Sequence, residues 1–140
     1  MKMKGEHHHS LDPKGRLNFP AKLREMLGES FVICKGLDGC LFVYPQEEWE
    51  RFEDKINALP LSKGRKLQRF FFAGAADAEP DKQGRVLIPQ NLRDHAGLEK
   101  DVVIIGASTR AEIWNEERWA ANQEENTEES IEETMDEIGF

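Results

Sequence analysis

The stretch Asp12-Pro13-Lys14-Gly15-Arg16-Leu17-Asn18-Phe19-Pro20, continuing to Leu23-Arg24, returns 69 residues later as Asp81-Lys82-Gln83-Gly84-Arg85-Val86-Leu87-Ile88-Pro89, continuing to Leu92-Arg93. Asp, Gly, Arg, Pro, Leu and Arg keep identical internal spacing. Such a chain must build one supersecondary unit twice. In 140 residues neither copy has much core of its own, so the halves are expected to interlock.

Each copy has a local reading. Asp12, Pro13 and Gly15 suit a type I turn followed by a left-handed glycine, the tip of a short hairpin; Asp81 and Gly84 repeat it without the proline. Arg16–Phe19 and Arg85–Ile88 read as short strands, and Pro20 and Pro89 open helices at their first position. Leu23, Met26 and Leu27 give the first of these helices an apolar face, with Gly28 as its stop; Leu92, Ala96 and Gly97 repeat this more weakly.

Two further strands follow in each copy, Phe31–Lys35 and Cys40–Tyr44, then Asp101–Ile105 and Ala111–Trp114. Between the copies, a helix from Gln46 to Leu59 is expected to place Trp49, Phe52, Ile56 and Leu59 on one apolar face. A second, from Lys63 to Ala73, carries Lys63, Arg65, Lys66 and Arg69 opposite Leu67, Phe70 and Phe71. The class is α+β. The division is a first repeat at 5–49, a helical linker at 50–74, a second repeat at 75–119 and an acidic tail at 120–140. The composition of Asn122–Phe140 reads as disorder. Its alternatives are a short helix with Ile131, Met135 and Ile138 on one edge, docking on a neighbouring subunit, or a segment competing with phosphates for a basic surface.

The net charge of −8, taken as a sum, disfavours a nucleic-acid partner, but its distribution matters more. Residues 116–140 carry ten acidic side chains and one basic, leaving the remainder at +1. Within residues 1–24 the six bases Lys2, Lys4, Lys14, Arg16, Lys22 and Arg24 face only Glu6 and Asp12. Two cysteines make no disulfide scaffold, and no signal or long apolar segment is present, so a cytoplasmic protein is expected.

Catalytic and metal chemistry are weakly supported. His7-His8-His9 lie on a strand, whose alternation prevents all three from converging on one ion. Cys34 has Ile104 as its repeat counterpart, and no phosphate loop, serine elbow or HExxH occurs. No metal, cofactor or small-molecule substrate is expected. Trp49, Trp114 and Trp119 read as core. An exposed Asp12–Arg16 pair alone is worth about 0–1 kcal/mol and implies nothing more. Lys14 and Arg16 at the tip, with Lys22 and Arg24 on the helix, instead suggest a compact cationic surface on a hairpin narrow enough for a major groove.

With both Asp-x-x-Gly-Arg segments, the Pro-then-helix after each, and Arg69-Phe70-Phe71-Phe72-Ala73-Gly74-Ala75 joining them, the chain resembles the MraZ family over residues 5–119. The resemblance implies tandem AbrB-like, swapped-hairpin repeats forming an interlocked pseudo-two-fold β-barrel with flanking helices. It implies a nucleoid-associated transcriptional regulator, usually a repressor, that binds short repeated promoter elements before the division and cell-wall gene cluster as a ring-shaped homo-oligomer. Matched residue by residue, Arg16 leads the DNA contacts, supported by Lys14, Lys22 and Arg24, with Lys82, Arg85 and Arg93 from the second copy; Asp12, Gly15, Asp81 and Gly84 shape the turns. Gln83 stands for Lys14 and no lysine stands for Lys22, so Arg16 is expected to outweigh Arg85. The rivals are an AbrB-like antitoxin, whose acidic tail grips a toxin, and an assembly scaffold without direct DNA contact.

Overall fold

The computed structural model describes residues 2–140. Strands β1 (Glu6–Ser10), β3 (Phe31–Lys35), β4 (Leu41–Pro45), β5 (Ala76–Ala78), β7 (Asp101–Gly106) and β8 (Ala111–Asn115) form one antiparallel sheet in the order β1-β7-β8-β4-β3-β5. Strands β2 (Arg16–Asn18) and β6 (Arg85–Leu87) pair with each other as a separate two-stranded ribbon. Exchanging every strand for its repeat counterpart reverses the sheet order and leaves it unchanged. Phe42 opposite Glu112 in the sheet, and Leu17 opposite Val86 in the ribbon, lie at the centre of this symmetry.

The halves interlock through strand pairing. β1 of the first copy pairs with β7 of the second, and β5 of the second with β3 of the first; β2–β6 and β4–β8 also cross between copies. The expected closed barrel is not formed. β1 and β5 remain sheet edges, because the strand that follows each of them, β2 or β6, pairs across the ribbon instead of closing the sheet; the isolated bridge Leu11–Leu17 ties β2 back toward the β1 edge. The α+β class and the repeated unit stand.

Both faces of the central strands are buried, with period-two alternation. Phe31, Ile33, Leu41, Val43, Val102, Ile104, Ala111 and Ile113 point to a core that also holds Leu17 and Val86 of the ribbon, Phe19 and Ile88 beyond it, Leu23 and Leu27 of α1 (Ala21–Leu27), and Leu92 and Ala96 of α4 (Gln90–Ala96). Cys34, Phe42, Tyr44, Val103 and Trp114 point the other way, under α2 (Gln46–Asn57), α3 (Leu61–Leu67) and α5 (Glu116–Glu125). There Trp49, Phe52, Phe71 and Trp119 pack as the sequence suggests, for example Tyr44 on Phe52 at 5.1 Å and Trp114 on Trp119 at 5.3 Å.

Three local expectations are revised. Pro20 and Pro89 cap α1 and α4 from the position before the first helical residue, with extended ψ of 138° and 150°. The helix expected over 63–73 starts at Leu61, directly after Pro60, and its last turn, Gln68–Phe72, widens into a π-helix. Successive α-helical side chains diverge by about 100°. The wider turn lets adjacent Phe71 and Phe72 both reach the aromatic layer, Phe71 against Phe52 at 5.0 Å and Phe72 against Trp49 at 5.6 Å. The acidic end is helical rather than disordered: α6 (Glu128–Glu137) begins where the Thr127 hydroxyl accepts from the Ser130 amide. Among the described residues no helix is long and apolar enough to cross a membrane.

Candidate nucleic-acid interface

The two turns are built alike. Gly15 donates to the Asp12 carbonyl at 2.9 Å and Gly84 to the Asp81 carbonyl at 2.9 Å, with φ of +82° and +80° that glycine alone adopts cheaply. Asp12 Oδ1 accepts from the Lys14 and Arg16 amides, and Asp12 Oδ2 from Arg16 Nε at 2.7 Å. Asp81 does the same for the Gln83 and Arg85 amides and for Arg85 Nε at 2.9 Å. Donation from the Arg16 and Arg85 amides, foremost, holds these carboxyls below their ordinary value of 3.8. The bland reading of an exposed ion pair therefore understates them: each aspartate shapes its turn and fixes its arginine at the same time.

The ribbon then brings both arginines to one face. Arg16 lies opposite Leu87 and Asn18 opposite Arg85, while Leu17 and Val86 between them turn into the core. Directly opposed residues share a face, so Arg16, Asn18, Arg85 and Leu87 form a single outward quartet. Asn18 is exposed, and Leu87 is 59% exposed, one of several large apolar side chains at the surface. Neither residue stands out in the sequence. Strand alternation from Arg16 would have turned Asn18 outward, but nothing local shows that β2 and β6 are partners.

The other cations divide. Lys14, Lys22 and Lys82 are exposed. Arg24 and Arg93 are half-buried, and each braces the opposite copy's turn. A Cβ at Gly84 would lie 2.8 Å from Arg24 Cζ, and one at Gly15 would lie 2.5 Å from Arg93 Nη1. Arg24 Nε also donates to the Phe19 carbonyl at 3.0 Å. The backbone repeats this crossing, with Ile88 N donating to Gly15 O at 2.9 Å and Phe19 N to Gly84 O at 3.3 Å. Each tip is thus held by the other repeat.

Elsewhere the titratable groups are structural in placement. His7 and His9 are half-buried on one side of β1, and His8 on the other meets Glu6 at 2.8 Å. Cys34 and Cys40 are buried free thiols; burial pushes Cys34 up to about 12 and raises Cys40 as well. Sequence reasoning missed the polar cluster at the sheet centre. Buried Glu112 accepts from Arg110 Nη2 at 2.7 Å and from Trp114 Nε1 at 3.0 Å, and the Arg110 guanidinium stacks 4.4 Å from the Phe42 ring.

Comparison with known proteins agrees with the repeated architecture. Residues 3–69 and 71–138 each match the family described as "MraZ protein, putative antitoxin-like". The "Transcriptional regulator MraZ" of Heliobacterium modesticaldum is 63% identical over 122 residues, covering 86% of this chain and 85% of that protein. Proteins of the same name from Lachnoclostridium phytofermentans and Clostridium beijerinckii are 55% and 54% identical, each covering 97% of this chain and respectively 96% and 98% of their own length. With both halves matched and identity sustained over nearly the whole length, the chain belongs to the MraZ family.

Proposed function

We propose that this chain is a transcriptional regulator that binds promoter DNA through the outer face of the β2–β6 ribbon. The observation that carries the reading is the pair Arg16 and Arg85 on one face of a two-stranded antiparallel ribbon, each held by its own turn aspartate. A major groove about 12 Å wide admits such a ribbon, and an arginine fork matches guanine O6 and N7. Because Asp12 and Asp81 engage Nε, the terminal nitrogens of both forks stay available for that pairing. Lys14, Lys22 and Lys82 serve the phosphates, which position a protein without reading sequence. Arg24 and Arg93 act through the turns they brace.

The name carried by the relatives supports transcription regulation, and the family resemblance extends the proposal to repression of the division and cell-wall gene cluster from short repeated elements. One ribbon spans few base pairs. Chains associated in a ring would engage successive repeats together and gain affinity through effective concentration.

Fluorescence anisotropy tests this, with a duplex carrying repeats from upstream of the chain's own coding region beside a scrambled duplex, across a salt series. Arg16→Ala and Arg85→Ala are each expected to reduce the preference by about 1–3 kcal/mol. Their equivalent clamps favour losses of similar size, and the tips differ in Pro13 against Lys82 and in Lys14 against Gln83, one lysine on each. Lys14→Ala is expected to weaken both duplexes alike and to lower the log–log salt slope by about 0.9. Equal affinity for the two duplexes throughout would overturn the reading.

A second reading rests on the family description as antitoxin-like and on acidic α6, whose Ile131 and Met135, with Ile138 just beyond, are exposed. A small partner that co-purifies with the full chain, and is lost when residues 126–140 are removed, would favour it.

A further inference from the structure

We infer that Asn18 and Leu87 give the ribbon its direction on DNA, Asn18 by hydrogen-bonding an adenine edge and Leu87 by packing on a thymine methyl group. This rests on the DNA-reading function proposed above and names what that surface distinguishes.

The outer quartet is nearly two-fold symmetric. Arg16 and Arg85 are repeat counterparts with matching aspartate clamps, and they lie diagonally across the ribbon, about 7–8 Å apart by the geometry of antiparallel pairs. Their strand neighbours on the same face, Asn18 and Leu87, are also counterparts, and here the chemistry differs. Two residues of strand cover about 6.8 Å, or two steps of a duplex rising 3.4 Å per base pair. Each arginine therefore has a second reader two base-pair steps away.

Two equivalent arginines alone would read a palindrome, since protein symmetry is mirrored in the site. Asparagine matches adenine N6 and N7, whereas an apolar side chain matches only the thymine methyl. One end of the quartet thus offers a donor and an acceptor, and the other a bare hydrocarbon surface. Leu87, 59% exposed on a face otherwise polar, gains a buried role when a methyl group covers it. The lysines that also differ between the copies face phosphate and carry no base information. The quartet accordingly reads a non-palindromic element, and a chain set on such elements in series faces one way along the DNA.

The experiment is selection of bound duplexes from a randomised DNA library by the full chain, followed by anisotropy on the recovered motif. Wild type is expected to recover a non-palindromic motif. Leu87→Asn makes both strands present Arg-x-Asn outward, and its motif is expected to become palindromic; the exchange of both residues, Asn18→Leu with Leu87→Asn, is expected to restore the wild-type motif. Replacing the motif's thymines by uracil, which lacks the methyl group, is expected to weaken wild type about 4-fold, the worth of one buried methyl. Leu87→Ala is expected to ignore that replacement. Thermal melting of each variant checks folding, which two exposed side chains should leave intact. An unchanged asymmetric motif from Leu87→Asn, or a wild type indifferent to uracil, overturns this inference while leaving DNA reading in place. Recovery of no motif by wild type overturns both.

Discussion

At the scale of single residues, the turns concentrate the constraints. Gly15 and Gly84 combine positive φ with a neighbouring guanidinium where a Cβ would sit. Gly15→Ala and Gly84→Ala are each expected to cost about 1–3 kcal/mol, read as a shift in the urea midpoint at constant slope. The aspartates add a pH dependence. Their carboxyls titrate below 3.8 in the folded chain, so the stabilisation they supply is fully present above that value and is lost as pH falls through the lower folded one. In an acid titration followed by circular dichroism, a variant with both Asp12→Asn and Asp81→Asn is expected to lose less stability below pH 4 than wild type.

At the scale of elements, the sheet and the ribbon depend on different chemistry. The ribbon is three residues per strand, and its one inward pair, Leu17 with Val86, anchors it to the core. Leu17→Ala is expected to cost about 2–5 kcal/mol and to disorder both tips together, since each turn is hydrogen-bonded to the other repeat. At the sheet centre Glu112 satisfies Arg110 and Trp114 on a face otherwise apolar and rich in aromatic rings. Glu112→Ala strands the Trp114 N–H in that layer and frees Arg110 from above Phe42. Because Arg110 keeps access to water, the expected cost is the smaller one of an unsatisfied buried group, about 1–3 kcal/mol by thermal denaturation.

At the scale of the molecule, the crossed pairings make the halves one cooperative unit. Two core clusters run through both copies, so neither has a complete interior without the other. Residues 1–69 and 70–140 produced separately are expected to lack a cooperative melt, and mixing them is expected to restore one. Independent two-state melting of either fragment would contradict the interlocked reading. The helical acidic end lies outside this unit in composition and burial: α6 has no buried residue and ends beside exposed Ile138 and Phe140.

Local chemistry decided the turns, the strand and helix order and the repeat. Asp-x-x-Gly-Arg encodes its own hydrogen bonds within five residues, and the alternation of Phe31–Lys35 or Asp101–Ile105 records burial on two faces. Those signals act between residues close in the chain and survive reading one residue at a time. Tertiary structure decided which strands pair. That choice turned an expected barrel into an open sheet with a separate ribbon, set Arg24 and Arg93 against the opposite copy's turn, and placed Asn18 and Leu87 beside the two arginines. The physical reason is that three-residue strands such as β2 and β6 carry too little pattern to specify a partner 69 residues away; the partner is selected by the shared core that Leu17 and Val86 enter together.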